Sequence, residues 1–370
     1  MGSISTSFNR RRNSLNFIRL VFALAVIVSH TWPLTGAGPE PMLGDMTLGH
    51  WSVAGFFAIS GYLITASRMN DDSTLRYLWR RVLRIYPAYW VCIALVGLVA
   101  APAVWYLSGH GGLGVYTRTD GGLAYIVKNA TLFRGQADVA GTTIDGFPHS
   151  GEWNGSLWSL PFEFACYVIV AVLGVTAGLR KTKVPLCVTA VALLILNIIY
   201  QYGPLEMDSY YISRFLTFGL FFFGGAVLWA LSDRLPLTWI LAAASAVAMV
   251  VFAWLGVTEI LSALPLAYVC IWLGEVLPLD SVGSVNDISY GVYLYAFPIQ
   301  QLLVFAGMRY GGPWFFAFIA ALSSVVVAYA SCKLIEQPAL RLKSWAPTRR
   351  PRNPQPGETP VGAGEVFTRP

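Results

Sequence analysis

Four groups of ionisable side chains stand inside stretches that are otherwise apolar. Arg19 and His30 lie eleven residues apart in the segment NFIRLVFALAVIVSHTWPL. On a helix that spacing puts both within ~20° of one face and about 16 Å apart along the axis, with Asn16 close to the same stripe. A neutral imidazole is a general base near neutral pH, and a histidine near a helix end is also an ordinary interfacial residue. Arg19 reads equally as a side chain snorkelling to a membrane surface. Glu163 sits in SLWSLPFEFACY, about 9 Å below the start of its helix by the helical rise. His30 lies a similar few residues from the end of its own helix. A shared depth would let the carboxylate orient and polarise the imidazole. Arg80, Arg81 and Arg84 form the third group, with Arg80 and Arg84 on one face. Planar guanidinium forks suit phosphate, and the same cluster also serves as a topological anchor. Glu336 and Lys333, just before Pro338, read as a salt bridge or a helix terminus.

Other candidates read more plainly. Tyr86, Tyr89 and Trp90 fit an interfacial aromatic belt. Ser289 and Tyr293, one turn apart, fit a polar face turned inward. His50, His110 and His149 read as surface residues of loops. The five cysteines fall in or beside apolar runs without short spacing, so neither a disulfide framework nor a zinc site is indicated. No Walker loop, zincin helix or dinucleotide fingerprint is present, and no metal site is expected.

The elements that must position these residues are membrane helices. The chain has 370 residues, 56% hydrophobic and 12% charged, against roughly 25% charged in a soluble domain. A hydrocarbon core needs ~20 apolar residues per crossing. About ten windows qualify: Leu15–Leu34, Trp51–Ser67, Arg84–Ser108, Leu157–Leu179, Pro185–Tyr202, Tyr211–Leu231, Leu237–Gly256, Glu259–Leu277, Ile288–Gly307 and Pro313–Ile335. The first follows Arg10–Arg12 but is long and lacks a clean cleavage site, so it reads as a membrane helix and not a signal peptide. The expected fold is all-α and polytopic.

Charge sets the orientation. One set of loops carries Arg10–Arg12, Arg68, Arg76, Arg80, Arg81, Arg84, Arg180, Lys181, Lys183, Arg234 and the tail arginines. The other set is acidic, with Glu40, Asp45, Asp120, Asp138, Asp145, Glu152, Glu206 and Asp208, and holds only Arg118, Lys128, Arg134 and Arg309 as clear positives. Positive-inside then puts both termini in the cytoplasm. The net charge of +6 therefore reports membrane topology and not nucleic-acid binding. Residues 1–14 form a basic cytoplasmic start, 15–345 the integral-membrane domain, and 346–370 a disordered Pro- and Gly-rich cytoplasmic tail. Gly109 to Gly155, rich in Gly, Asp and Thr, reads as an unstructured outer lid or binding loop.

Five blocks together resemble the integral-membrane acyltransferase-3 family, bacterial O-acyltransferases of surface carbohydrates. They are Asn16–Leu34, FFAISGYLIT (Phe56–Thr65), YLWRRVLRIYPAYW (Tyr77–Trp90), NGSLWSLPFEFACY (Asn154–Tyr167) and ISYGVYLYAFPI (Ile288–Ile299), with IEQP at Ile335–Pro338. The resemblance implies His30 as catalytic base and Glu163 as the motif carboxylate. It implies Arg19, Arg80, Arg81 and Arg84 as the basic set engaging the acyl donor. It departs at Asn16, where the family often has Asp, and at Ala296, where it often has His. The activity implied is transfer of an acyl group, acetyl first, from cytoplasmic acyl-CoA to a hydroxyl of an extracytoplasmic carbohydrate or lipid-linked saccharide. The expected place is the bacterial cytoplasmic (inner) membrane. The residues alone leave two rivals: a transporter or flippase of glycan-linked lipid, whose repeated broken helices are not visible, and a non-enzymatic membrane sensor or scaffold.

Overall fold

A computed structural model describes residues 2–9, 12–69, 73–176, 182–203 and 209–345. The expected disordered tail 346–370, Arg10, Arg11, Arg180, Lys181, Glu206 and Asp208 lie outside the described residues. The described chain is mostly helical. Its principal helices are α1 (Leu15–Thr35), α2 (Leu48–Met69), α3 (Thr74–Leu107), α4 (Gly155–Val175), α5 (Val184–Tyr202), α6 (Tyr210–Ala230), α7 (Trp239–Leu255), α8 (Ala263–Val276), α9 (Ser289–Phe305) and α10 (Pro313–Ser344). The described strands are a two-residue hairpin, β1 (Met42–Leu43) with β2 (Met46–Thr47).

Each expected window falls on a helix. Among the described residues, six helices are long and apolar enough to cross a membrane: α1, α3, α4, α5, α6 and α10. α7 and α8 are apolar but shorter. The window expected as Glu259–Leu277 breaks at Ser262, which separates the single turn Thr258–Leu261 from α8. α2 and α9 are mostly buried within the bundle. Facing protein and not lipid, they tolerate Gly, Ser, Tyr and Gln, which lower their hydropathy. The lipid-facing side is apolar instead: Val250, Trp254, Phe318 and Val326 are all exposed.

Two local features set the site. α2 crosses α6 at backbone distance. A Cβ on Gly61 would stand 1.8 Å from the Phe222 carbonyl oxygen, and one on Gly225 would stand 2.0 Å from that of Ala58. Glycine is therefore required at both positions, and the crossing fixes the face of α2 that carries Ser60. α3 begins ten residues before the expected Arg84. Ser73 caps it by accepting from the Arg76 N–H, and the Trp79 indole donates to the Leu342 carbonyl of α10. The apolar run starts at the arginines, but capping and packing extend the helix past them. Arg80, Arg81 and Arg84 therefore sit within α3 and not at its end.

The bundle has two chemically different ends. At one end the first residues pair with the loop after α6, with the Ile4 N–H on the Leu235 carbonyl. Ser14 donates to the Leu277 carbonyl there, and Lys183 meets Asp233. At the other end the hairpin turn holds Thr258, whose N–H donates to Asp45, while Gln301 and Arg309 donate to carbonyls of residues 146–152. Here the segment after α3 is not the unstructured loop expected. It contains the short helices Gly114–Thr117 and Gly122–Lys128. Asn129 acts as its hub, donating to the Tyr125 and Gln136 carbonyls and accepting from Gly135. Trp153 is fully buried beneath it.

Candidate active site

All of the sequence-predicted site residues except Arg80 line one of two adjoining spaces. The larger, with about 690 Å³ of empty volume, is walled by Arg19 of α1, Ser60 of α2, Arg81 and Arg84 of α3, Glu163 and Tyr167 of α4, and Tyr290 and Tyr293 of α9. The smaller, about 300 Å³, is walled by His30, Glu40, His50 and Trp158. Val53 and Tyr293 line both. Arg19 and His30 thus share a stripe of α1, as the spacing predicts, and each opens on a different space.

The three arginines differ in their surroundings. Arg84 is braced by Asp287 at 2.5 Å and Glu336 at 3.3 Å, and lies over the Tyr290 ring. Burial works to raise the Asp287 pKa, but the Arg84 guanidinium prevails and holds that carboxyl below the ordinary range. Arg84 is therefore already neutralised. Glu336 finds its partner in Arg84 and not in the neighbouring Lys333, which lies over the Tyr329 ring. The cause is a π-helical turn at Cys332–Glu336, which rotates Glu336 into the interior. Arg81 lies over the Tyr77 ring. The buried Nε atoms of Arg81 and Arg19 have no hydrogen-bond partner among the described residues. A wall with buried cationic groups left unsatisfied fits an anionic or amide-bearing ligand. Arg80 is not among the side chains lining this cavity.

Glu163 does not orient His30. Its carboxylate accepts hydrogen bonds from Ser60 at 2.9 Å and from Tyr167 one turn on, and it faces the basic cavity. Glu163 and His30 line different spaces. Val53 and Tyr293 lie at the boundary between their two spaces.

The carboxylate beside His30 is Glu40, 3.8 Å from Nε2. That separation exceeds a hydrogen bond, so the relation is electrostatic: a carboxylate at this distance favours positive charge on the ring. Glu40 is itself fixed. Ser29 of α1 donates to it at 2.6 Å, and the Ser29 oxygen accepts the Gly49 N–H at the start of α2. Burial works to raise the Glu40 pKa, but the interaction with His30 and the hydrogen bonds from Ser29 and Thr47 outweigh it and hold the carboxyl below its ordinary value. The His30 ring packs edge-on to Phe297, one turn beyond Tyr293, with centroids 5.2 Å apart.

His50 and His149, expected as surface residues, belong to this region. His50 lines the small pocket and packs against Trp158 and Phe218. His149 meets Glu152 at 3.3 Å and also packs edge-on to Phe297, with centroids 5.9 Å apart. Burial lowers the His149 pKa. His110 is elsewhere, stacked on Trp105. Asn16 donates to the Gly283 carbonyl, a loop-pinning contact. Tyr293 donates to the Ser156 carbonyl at 2.8 Å, which leaves its oxygen to accept from Ser159 at 2.7 Å.

Comparison with known proteins agrees with the sequence resemblance. A family described as "Acyltransferase domain", of the acyltransferase-3 type, matches residues 12–333. The chain is 31% identical over 343 residues to an O-acetyl transferase of Shigella phage Sf6, covering 88% of this chain and 96% of that protein. It is 28% identical over 376 residues to Nodulation protein 10 of Rhizobium leguminosarum bv. viciae, covering 95% and 99%. No solved structure matches. These matches favour an enzyme over the transporter and scaffold readings. A polytopic helical bundle with a basic cavity abutting a histidine–carboxylate pocket, and a family match along most of its length, together establish that the chain belongs to the acyltransferase-3 family of membrane acyltransferases.

Proposed function

We propose that this enzyme moves an acetyl group from cytoplasmic acetyl-CoA, or another acyl-CoA, to a hydroxyl of an extracytoplasmic carbohydrate. The observation that carries this reading is the adjacency of the two spaces, one basic and one holding His30 with Glu40. The O-acetyl transferase activity named for the phage relative supports acetyl as the group. The described residues of the loops expected to be cytoplasmic, with Arg12, Arg68, Lys183, Arg234 and Arg341, support ten crossings of a bacterial cytoplasmic membrane with both termini inside.

On this reading Arg81 and Arg19 attract the phosphates and amide oxygens of the donor, while Arg84 serves chiefly to join α3 to the Asp287 loop and α10. Arg80 contributes to the positive field at the entrance and not to the cavity wall. Glu163 offers an acceptor to donor N–H groups. His30 removes the proton from the acceptor hydroxyl as its oxygen attacks the thioester carbonyl. The new C–O ester bond forms, the C–S bond breaks, and the imidazolium returns the proton to the departing thiolate. Glu40 stabilises the charged intermediate state of the ring. Positioned general-base assistance is worth ~10²–10⁴-fold.

The test is transfer from labelled acetyl-CoA by purified protein in lipid discs, together with mass spectrometry of surface glycans from cells with and without the gene. The expected result is a glycan mass difference of one acetyl group and loss of transfer in His30→Asn by ~10²-fold or more, at unchanged membrane yield. Normal glycan acetylation in cells making only His30→Asn would refute the base assignment.

A further inference from the structure

The basic cavity and the His30 pocket are separate spaces with two side chains in common, Val53 and Tyr293. Both are buried. Val53 is β-branched and has a single strongly preferred rotamer on a helix. Tyr293 is held by its hydroxyl, which bonds Ser156 and Ser159 of the first turn of α4. The Phe56 ring meets it edge-on, with centroids 5.8 Å apart. On the far side the His30 pocket has about 300 Å³ of empty volume and a largely polar wall of Glu40, His50 and His30 closed by Trp158. Resting on the acyl-CoA reading above, an acyl group leaving the basic cavity must pass this partition with its methyl end first. Its carbonyl then has to come level with His30 while an acceptor hydroxyl shares the same pocket.

We propose that Val53 and Tyr293 determine acyl-chain length: the partition they form admits an acetyl group to His30 and excludes longer chains. A stiff branched residue and a phenol hydrogen-bonded at two points leave little freedom to widen the passage, and the small, largely polar pocket beyond, with only Val26 and Trp158 as further apolar lining, gives extra methylenes little room and little apolar surface to bury. A single methylene in a shaped pocket is discriminated by roughly 10–200-fold, so a two-carbon extension is strongly rejected.

The experiment compares acetyl-, butyryl- and hexanoyl-CoA as donors for the purified full chain in lipid discs, with wild type, Val53→Ala, Val53→Ile and Tyr293→Phe. Coenzyme A affinity is measured separately by calorimetry. Val53→Ala is expected to raise the butyryl-to-acetyl ratio of kcat/KM by about tenfold or more, and Tyr293→Phe to raise it less. Val53→Ile is expected to lower transfer from every donor while coenzyme A affinity stays within about twofold, because it narrows the passage without touching the arginines. A loss of folding would lower all donors and coenzyme A binding together, so the ratio separates the two effects. An unchanged chain-length ratio in both Val53→Ala and Tyr293→Phe, in protein that transfers acetyl normally, overturns the proposal and leaves the acyl-CoA reading intact. Wild-type protein that takes no acyl group from any of the three thioesters removes that reading, and the proposal with it.

Discussion

Replacing Glu40 by Gln keeps an acceptor for Ser29 and removes the charge beside His30. The imidazolium formed during proton transfer then loses its nearest counter-charge in a buried pocket. We expect Glu40→Gln to lower kcat by about tenfold or more, within the range of a displaced proton-transfer partner, and to leave donor KM nearly unchanged, because Glu40 does not line the basic cavity. Glu163→Gln should do the opposite, raising donor KM with a smaller change in kcat. The reverse pattern, a silent Glu40→Gln and a crippled kcat in Glu163→Gln, would return the partnership with His30 to Glu163. Only part of this site was legible in the residues. His30, Arg19 and Glu163 announce themselves because an ionisable group in an apolar helix is costly and calls for a reason. Glu40 gives no such signal, since a carboxylate in a polar loop is ordinary. It reaches His30 because the β1–β2 hairpin, closed by the Leu48 N–H on the Pro41 carbonyl, folds the loop back over the end of α1. His50 escaped for a related reason: α2 begins before the apolar run does, so a residue expected in a loop lies on the helix.

At the scale of elements, α3, α9 and α10 meet around one guanidinium. Asp287 stands two residues before α9 and Glu336 lies on the π-helical turn of α10; both bond Arg84 of α3. Removing one partner of a fully buried ion pair costs up to about 3–5 kcal/mol; the Arg84–Asp287 pair is only partly buried and Arg84 keeps its Glu336 bond, so Asp287→Asn should cost less than that range. The sign with pH follows from the direction of the shift. Asp287 is held below its ordinary pKa in the folded protein, so its contribution is complete above the unfolded value of about 3.9 and declines as pH falls through the lower folded value. Thermal unfolding in detergent should therefore show wild type well above Asp287→Asn at pH 7, with the gap closing under strong acid. A gap that stays constant down to acid pH would mean that the charge of Asp287 contributes nothing. The helices themselves were legible because an unbroken run of about twenty apolar residues matches the thickness of a bilayer and little else. Their ends were less so: hydropathy drops at Arg80–Arg84, whereas the Ser73 cap and the Trp79–Leu342 bond carry α3 about two turns further. The inward turn of Glu336 was not legible at all, because it depends on one extra residue in a helical turn.

Across the whole molecule, charge is sorted by end. The end that holds Arg12, Lys183 and Arg341 also receives the first residues and the loops after α6 and α8, while Asp45, Asp145 and Glu152 gather at the hairpin end. This sorting was fully visible in the sequence, since positive-inside is a count of Lys and Arg beside apolar spans. The division of the interior into two spaces was not, because it arises from the side chains of α2 and α9 meeting between helices that are distant in sequence. The two facts make one prediction together. If the basic end faces the cytoplasm, donor entry and acceptor entry lie on opposite sides of the membrane, and the partition at Val53 and Tyr293 is the only place among the described side chains where the two spaces share a wall. Single cysteines at exposed Asp145 and exposed Ser344, introduced after replacing the five native cysteines, test the orientation directly. In intact spheroplasts a membrane-impermeant maleimide should label Asp145→Cys at once and Ser344→Cys only after permeabilisation. Labelling of both positions from outside would put Arg341 and its neighbours on the same side as the long loop. The donor would then have no cytoplasmic route to Arg19 and Arg81, and transfer across the membrane through this bundle would have to be abandoned.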